Sequence, residues 1–156
     1  MLELQVTGEA RQEALGAALA GVIAAPCIVY LAGDLGTGKT TLVRGLLHGL
    51  GHQGRVKSPT YTLLEPYELP GLHCYHFDLY RLADAEELMF LGIEDLLQPD
   101  ALLLIEWPER GAGVLPAPDL TIQLFHQGLS RRVVLQPTGE KGLQIINNLQ
   151  KVWGGD

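Results

Sequence analysis

Gly33-Asp34-Leu35-Gly36-Thr37-Gly38-Lys39-Thr40-Thr41 matches the phosphate-binding loop pattern G-x-x-x-x-G-K-[ST] at Gly33, Gly38, Lys39 and Thr40. Its flanks supply the context that the pattern needs. Cys27-Ile28-Val29-Tyr30-Leu31 before it is an unbroken β-forming run, which suits a strand buried on both faces. After it, Leu42, Val43, Leu46, Leu47 and Leu50 recur at helical spacing, and Gly51 is placed to end that helix. Glycines let the backbone approach a polyphosphate with no Cβ in the way, and the main-chain N–H groups can turn inward as a nest. The helix opening near Gly38 adds the positive end of its dipole. Lys39 supplies a charge for the β- and γ-phosphates, and the Thr40 hydroxyl can join a Mg²⁺ shell. The stretch reads as a nucleoside triphosphate site.

Working outward, Leu2 to Val6 predicts a first strand, and Thr7 is placed to cap a helix over residues 8–23, with Leu15, Ala18, Leu19, Val22 and Ile23 on its buried face. Beyond the loop helix, Ser58-Pro59-Thr60-Tyr61-Thr62-Leu63 carries hydroxyls on both sides of a proline. It reads as a solvated turn or as a switch that folds over a γ-phosphate. Residues 61–69 and 72–80 predict a hairpin joined by Pro70-Gly71. Alternation puts Cys74, His76 and Asp78 on one face of its second strand, and Tyr75, Phe77 and Leu79 on the other. A carboxylate late in an apolar strand needs a partner. For Asp78 that is a metal, a hydroxyl, or a cation such as Arg81.

Residues 83–89 and 93–97 suggest two short helices broken at Gly92. Ala101-Leu102-Leu103-Leu104-Ile105 is a continuous apolar run ending in Glu106-Trp107-Pro108-Glu109. It resembles a Walker B strand, a buried parallel strand delivering an acid at the carboxyl end, where open α/β sheets bind ligands. Glu106 ranks above Glu109 because it is first out of the strand. Residues 119–125 and 130–136 predict a last hairpin around Gln127-Gly128. A closing helix follows, with Leu143, Ile146, Leu149 and Val152 on an apolar face extended by Ile145 and Trp153. The hairpins mean that the sheet is mixed, not purely parallel.

Composition bounds the rest. A chain of 156 residues suits one domain with a real core, residues 1–156, and 47% hydrophobic with 19% charged residues reads as globular. Net charge is −7, and no basic cluster exceeds Arg131-Arg132, so unaided binding of DNA or RNA is not expected. Cys27 and Cys74 lie in β-like runs, a reduced, cytoplasmic pattern without a disulfide framework. Signal-peptide and membrane-spanning patterns are absent, and the histidines at 48, 52, 73, 76 and 126 lack zinc-ligand spacing. A GTPase would need N-K-x-D and D-x-x-G strings, and neither occurs. A small-molecule kinase would usually carry an arginine-bearing lid, of which there is little sign, and no arginine is obviously poised over the loop.

G-D-L-G-T-G-K-T-T, S-P-T-Y-T-L, H-F-D-L-Y-R-L and I-E-W-P-E, in that order and spacing, closely resemble the bacterial TsaE family. That resemblance implies a P-loop ATPase in a three-layer α/β fold, its mixed sheet of parallel strands and antiparallel hairpins lying between helices. It implies ATP and Mg²⁺ as cofactors and the TsaD and TsaB proteins as partners. The implied task is formation of N6-threonylcarbamoyladenosine at position 37 of tRNAs reading codons that begin with A, with tRNA met only through the complex. Residue by residue, it makes Gly36, Thr37, Gly38, Lys39, Thr40 and Thr41 the phosphate cradle, with Gly33 and Leu35 as further cofactor-binding residues of the loop. Thr40 and Glu106 become Mg²⁺ ligands, with Asp78 beside them as a further ligand or a catalytic group. Ser58 and Thr60 become the switch facing the γ-phosphate, and Trp107 a neighbour of the site. The chain departs from the pattern at Gln12, where the family often has threonine, which leaves the adenine side open. Arg131, where the family tends to have an arginine, is a candidate for that side. The alternative from another class is an interaction module whose bound nucleotide matters and whose turnover is incidental.

Overall fold

The computed structural model describes residues 1–154. In chain order it contains β1 (Leu2–Thr7), α1 (Glu9–Ala20), β2 (Cys27–Gly33), α2 (Lys39–Gly49), β3 (Leu64–Leu69) and β4 (Leu72–Asp78). There follow α3 (Glu87–Phe90), β5 (Ala101–Glu106), β6 (Leu120–Gln127), β7 (Ser130–Pro137) and α4 (Glu140–Val152). Short 3-10 helices at Ile93–Leu96 and Pro108–Gly111 flank β5. The strands form one sheet ordered β1-β7-β6-β2-β5-β4-β3. The central β6, β2, β5 and β4 are parallel, and antiparallel β3 and β7–β1 complete the two sides. The mixed sheet expected from the hairpins is therefore present.

Alternation along the strands fills the two faces unequally. Val29, Leu31, Cys74, Leu102 and Leu104 point to the side covered by α1, α2 and α4, in the larger apolar cluster. Phe77, Leu103 and Ile105 point to the other side, covered only by α3, the 3-10 turns and their connections. All six residues of β5 are buried, as its continuous apolar run requires. Both cysteines are free and buried; burial pushes the Cys27 thiol up to about 12 and raises Cys74 too, so neither is a ready nucleophile.

Glycine sets how closely α1 meets α2. A Cβ on Gly45 would lie 2.1 Å from the Glu13 carbonyl oxygen, and one on Gly16 2.3 Å from that of Leu42. Arg44 ties the same face by ion pairs to Glu9 (2.7 Å) and Glu13 (2.9 Å). Gly45→Ala should gain about 1 kcal/mol in helix propensity, yet an overlap with backbone cannot be relieved by changing a rotamer. Overpacking of about 1–3 kcal/mol is expected to win. The melting midpoint should fall by several degrees, at roughly 2–4 °C per kcal/mol for a chain this size. An unchanged or higher midpoint would show that the helices are not held at this separation.

Several local expectations are corrected. Thr7 does not cap α1, because β1 runs through it and pairs it with Ser130. The turn falls on Gly8 (φ 90°), which caps without a side-chain bond, and α1 ends at Ala20. β3 starts at Leu64, not at residue 61, since Leu63 holds a left-handed φ of 67° and residues 58–63 stay outside the sheet. The helix expected at 83–89 shrinks to α3, because the Glu87 carboxylate accepts the N–H groups of Ala83 and Asp84 (both 3.0 Å) and holds 83–86 as turn. The second short helix is a 3-10 turn, though the break at Gly92 is as expected. The final hairpin turns at Gly128-Leu129, one residue late. In α4, Gly142 approaches the Asp119 carbonyl so closely that its Cβ would lie 2.0 Å away. That contact centres the buried face on Gly142, Ile145, Ile146 and Leu149, leaving Leu143 and Val152 exposed.

Candidate active site

The loop between β2 and α2 is held from behind by side chains that the loop pattern does not include. Gln12 of α1 donates from Nε2 to the carbonyls of Thr37 and Gly38, both at 2.9 Å. Arg131 of β7 donates to the carbonyls of Thr37 (3.3 Å) and Gly36 (3.1 Å), and the His126 ring meets that of Leu35 at 3.1 Å. In a trans peptide the N–H points opposite to the C=O, so pulling these carbonyls back turns the loop's N–H groups forward. Inside the loop the Thr37 hydroxyl, fully buried, donates to the Asp34 carbonyl (2.8 Å). Gly38 adopts φ 95° at the start of α2, and a Cβ there would strike Gln12 Nε2 at 2.2 Å. The left-handed φ favours glycine, and a Cβ would also displace the Gln12 amide from its bonds to the loop.

Lys39 lies across the mouth of this loop. Its ammonium donates to the Gly33 carbonyl and to that of Asp34 (3.1 Å), and sits 4.3 Å from the centre of the Trp107 ring. Burial lowers the Lys39 pKa, while the charges of Glu106, Asp78, Glu109 and Asp34 oppose that shift. Trp107 itself holds a left-handed φ of 57°, packs on Tyr80 with ring centres 5.0 Å apart, and donates its N–H to the Leu31 carbonyl. The chain thus folds back over the lysine as soon as β5 ends.

Two carboxylates face the lysine from neighbouring strands, because the β4–β5 register pairs Asp78 with Glu106. Glu106 Oε2 lies 3.4 Å from the Thr40 hydroxyl and 2.5 Å from His76 Nε2. Asp78 Oδ2 accepts from Thr60 (3.3 Å), whose hydroxyl also meets that of Ser58 (2.7 Å), and Oδ1 accepts the Tyr80 N–H (3.1 Å). Burial raises the Asp78 carboxyl, with the charge of Glu106 adding to the shift and the bonds from Tyr80 and Thr60 opposing it. Asp78 therefore takes the hydroxyl partner, and the Arg81 pairing is not formed: the Arg81 guanidinium lies over the Tyr61 ring at 4.5 Å.

These groups converge on a cleft of about 300 Å³. Leu35, Gly36, Gly38, Lys39, Thr40 and Thr41 line one wall, and Thr60, Asp78, Glu106 and Trp107 the other. Tyr80 and Arg81, which sequence reasoning did not place there, complete it, so an arginine does stand at the rim. Gly33 and Thr37 belong to the frame of the loop, and Ser58 reaches the cleft through Thr60. Arg131 instead lines a smaller hollow of about 190 Å³ on the α1 side of the loop, with Glu9, Gln12, Thr41 and Leu129. Glu109 is exposed beyond the strand end. A larger apolar hollow of about 390 Å³ lies at the opposite end of the sheet, but its charged groups are engaged: Asp119 accepts the Ile28 N–H (2.9 Å) and Lys141 donates to the Pro26 carbonyl.

The donor set suits a hard divalent cation. Thr40, Asp78 and Glu106 offer only oxygen, and the two carboxylates are buried side by side. No group of three or more His, Cys, Asp or Glu able to hold a metal occurs among the described residues. Magnesium needs only one or two carboxylates, the remaining positions being filled by water and phosphate oxygens. His76 was missed as a site residue. Its signal was present in the alternation that put it on the Asp78 face.

A glycine loop joining a parallel strand to a helix, with an acid at the end of the adjacent strand, defines a P-loop protein of the α/β class. The chain matches the family described as threonylcarbamoyl adenosine biosynthesis protein TsaE over residues 6–134, and it belongs to that family. It is 53% identical over 120 residues to the tRNA threonylcarbamoyladenosine biosynthesis protein TsaE of Haemophilus influenzae, covering 77% of this chain and 76% of that one. The Rickettsia felis protein of the same name is 37% identical over 124 residues, or 79% and 72% of the two chains. Among solved structures, Bacillus subtilis YdiB superposes with a TM-score of 0.83 at 25% identity, over 96% of this chain and 94% of its own. That likeness covers nearly all of the mixed sheet and its helices. Among the described residues no helix is long and apolar enough to cross a membrane.

Proposed function

We propose that this chain binds Mg·ATP in the loop cleft and hydrolyses it slowly, as the accessory ATPase of the TsaD–TsaB pair. The output is N6-threonylcarbamoyladenosine at position 37 of tRNAs reading codons that begin with A. The observation that carries this reading is the convergence of Lys39, Thr40, Asp78 and Glu106 at the mouth of one glycine loop. The loop N–H groups and the α2 dipole would hold the phosphates, and Lys39 would bridge the outer two. Thr40 and Glu106 would hold Mg²⁺, with Asp78 as a third oxygen donor; the ion would neutralise charge on the phosphates. Thr60, tied to Asp78, would couple residues 58–62 to the state of the γ-phosphate. The hollow beside Gln12 and Arg131 is the proposed base side.

An acidic chain without a basic groove needs another protein to bring it to tRNA. Arg81, at the rim of the cleft, is engaged with the Tyr61 ring and hydroxyl, so the chain alone is expected to turn over slowly. A transition-state arginine can be worth about 10³–10⁵ in rate. The partners are expected to bind at residues 58–62 and the rim from Glu106 to Glu109, more tightly with an ATP analogue than with ADP, and to speed hydrolysis. Steady-state ATPase with and without TsaD–TsaB, together with their affinity in each nucleotide state, tests this. Binding itself can be read from Trp107 emission, which Mg·ADP should change and Trp107→Phe should largely silence. Fast hydrolysis by the isolated chain, with partner affinity indifferent to nucleotide, would sink the coupled reading and favour a free-standing enzyme.

A further inference from the structure

His76 lies in the interior of β4, fully buried, two residues before Asp78 and on the same face. Its register partner is Leu104, so Glu106 stands diagonally ahead of it on β5. The ring reaches forward, and Nε2 meets Glu106 Oε2 at 2.5 Å, with the Glu106 side chain only 3% exposed. Nδ1 is buried as well and has no hydrogen-bond partner among the described residues. An ionised carboxylate only accepts, so the proton in this contact belongs to Nε2. Carrying that proton on Nδ1 instead would leave an N–H donor buried and unpaired.

We propose that His76 is a positioning residue: it donates Nε2–H to Glu106 and so fixes the carboxylate in the orientation that faces Thr40. This role rests on the reading of the cleft as a Mg·nucleotide site. Without the donor, the 3.4 Å contact to Thr40 is the one side-chain hydrogen bond among the described residues left to set the Glu106 rotamer. Partners that orient metal-binding side chains typically contribute about 10–100-fold in metal affinity or activity.

The test combines two variants with a signal independent of turnover. His76→Leu removes the donor and keeps an apolar side chain; His76→Gln restores an N–H donor at similar reach. With His76→Leu, ATPase kcat should fall about tenfold or more and the Mg²⁺ concentration needed for tight ADP binding should rise by a similar factor. ADP affinity in magnesium-free buffer should stay near wild type, and His76→Gln should recover most of the loss. In the wild-type chain, ¹⁵N NMR of the imidazole should show the Nε2–H tautomer with a strongly downfield proton, and Glu106→Ala should abolish that signal. A His76 found as the Nδ1–H tautomer overturns the proposal even if His76→Leu fails to fold. So does a folded His76→Leu with wild-type kcat and magnesium dependence. Absence of any magnesium-dependent nucleotide binding in the wild type would overturn the cleft's reading together with this role. Wild-type binding with an indifferent His76→Leu overturns this role alone.

Discussion

Lys39→Ala is expected to weaken ATP binding by about tenfold to a hundredfold, through loss of a charge-assisted contact of roughly 1.5–3 kcal/mol. Two features of the fold push the effect toward the upper end. Lys39 is the cation among the loop residues that line the cleft, and it is 6% exposed, so solvent screens it little. Its ammonium also joins the Gly33 and Asp34 carbonyls, and the variant loses that clasp on its own loop. Removing it leaves Asp78 and Glu106 as adjacent buried carboxylates with Arg81, engaged on Tyr61, as the remaining cation in the cleft lining, and their charge would repel a triphosphate. Calorimetric titration is the measurement. Near wild-type affinity would take Lys39 out of the site, and with it the phosphate reading of the loop.

Glu106→Ala separates binding from turnover. The loop and Lys39 are intact in this variant, so nucleotide should still bind, whereas turnover should fall at least about a hundredfold if this carboxylate holds the ion or orients water. The change also strands the buried Nε2–H of His76, at a cost of about 1–3 kcal/mol in stability. Glu106→Gln keeps an acceptor for His76 and removes only the charge, so it should melt closer to wild type while remaining as slow. Single-turnover hydrolysis beside a thermal melt distinguishes the two contributions. A fast Glu106→Gln would mean that the charge is dispensable and would shift the metal-binding role to Asp78.

What could be read from the sequence was whatever local chemistry dictates. The loop needs its glycines and lysine at fixed spacing, and β5 needs a continuous apolar run, so both elements and Glu106 were evident. The face shared by His76 and Asp78 followed from strand alternation. What joins elements distant in the chain was not legible. Gln12 lies 25 residues before the carbonyl that it holds, and Arg131 lies 94 residues after it. No spacing rule connects them, and only the packing of α1 through Gly16 and Gly45 and the placement of β7 in the sheet bring them to the loop. Thr7 failed as a cap for the same reason: its pairing with Ser130 in the sheet outweighed a local preference. Arg81 was misjudged because the turn after β4 carries it to the rim with Tyr80.

The pairing of Asp78 with Glu106 also constrains how the chain can change length. Side chains alternate with a period of two, so losing or gaining one residue within β4 would exchange its faces. His76 and Asp78 would then turn toward Phe77's side, and Phe77 would meet the lysine. A length change in the turn at Pro70-Gly71, or in the segment between α2 and Pro59, leaves that parity untouched. Insertions and deletions are thus partitioned by the sheet itself: tolerable between the strands, and inadmissible in odd number within the one that delivers Asp78.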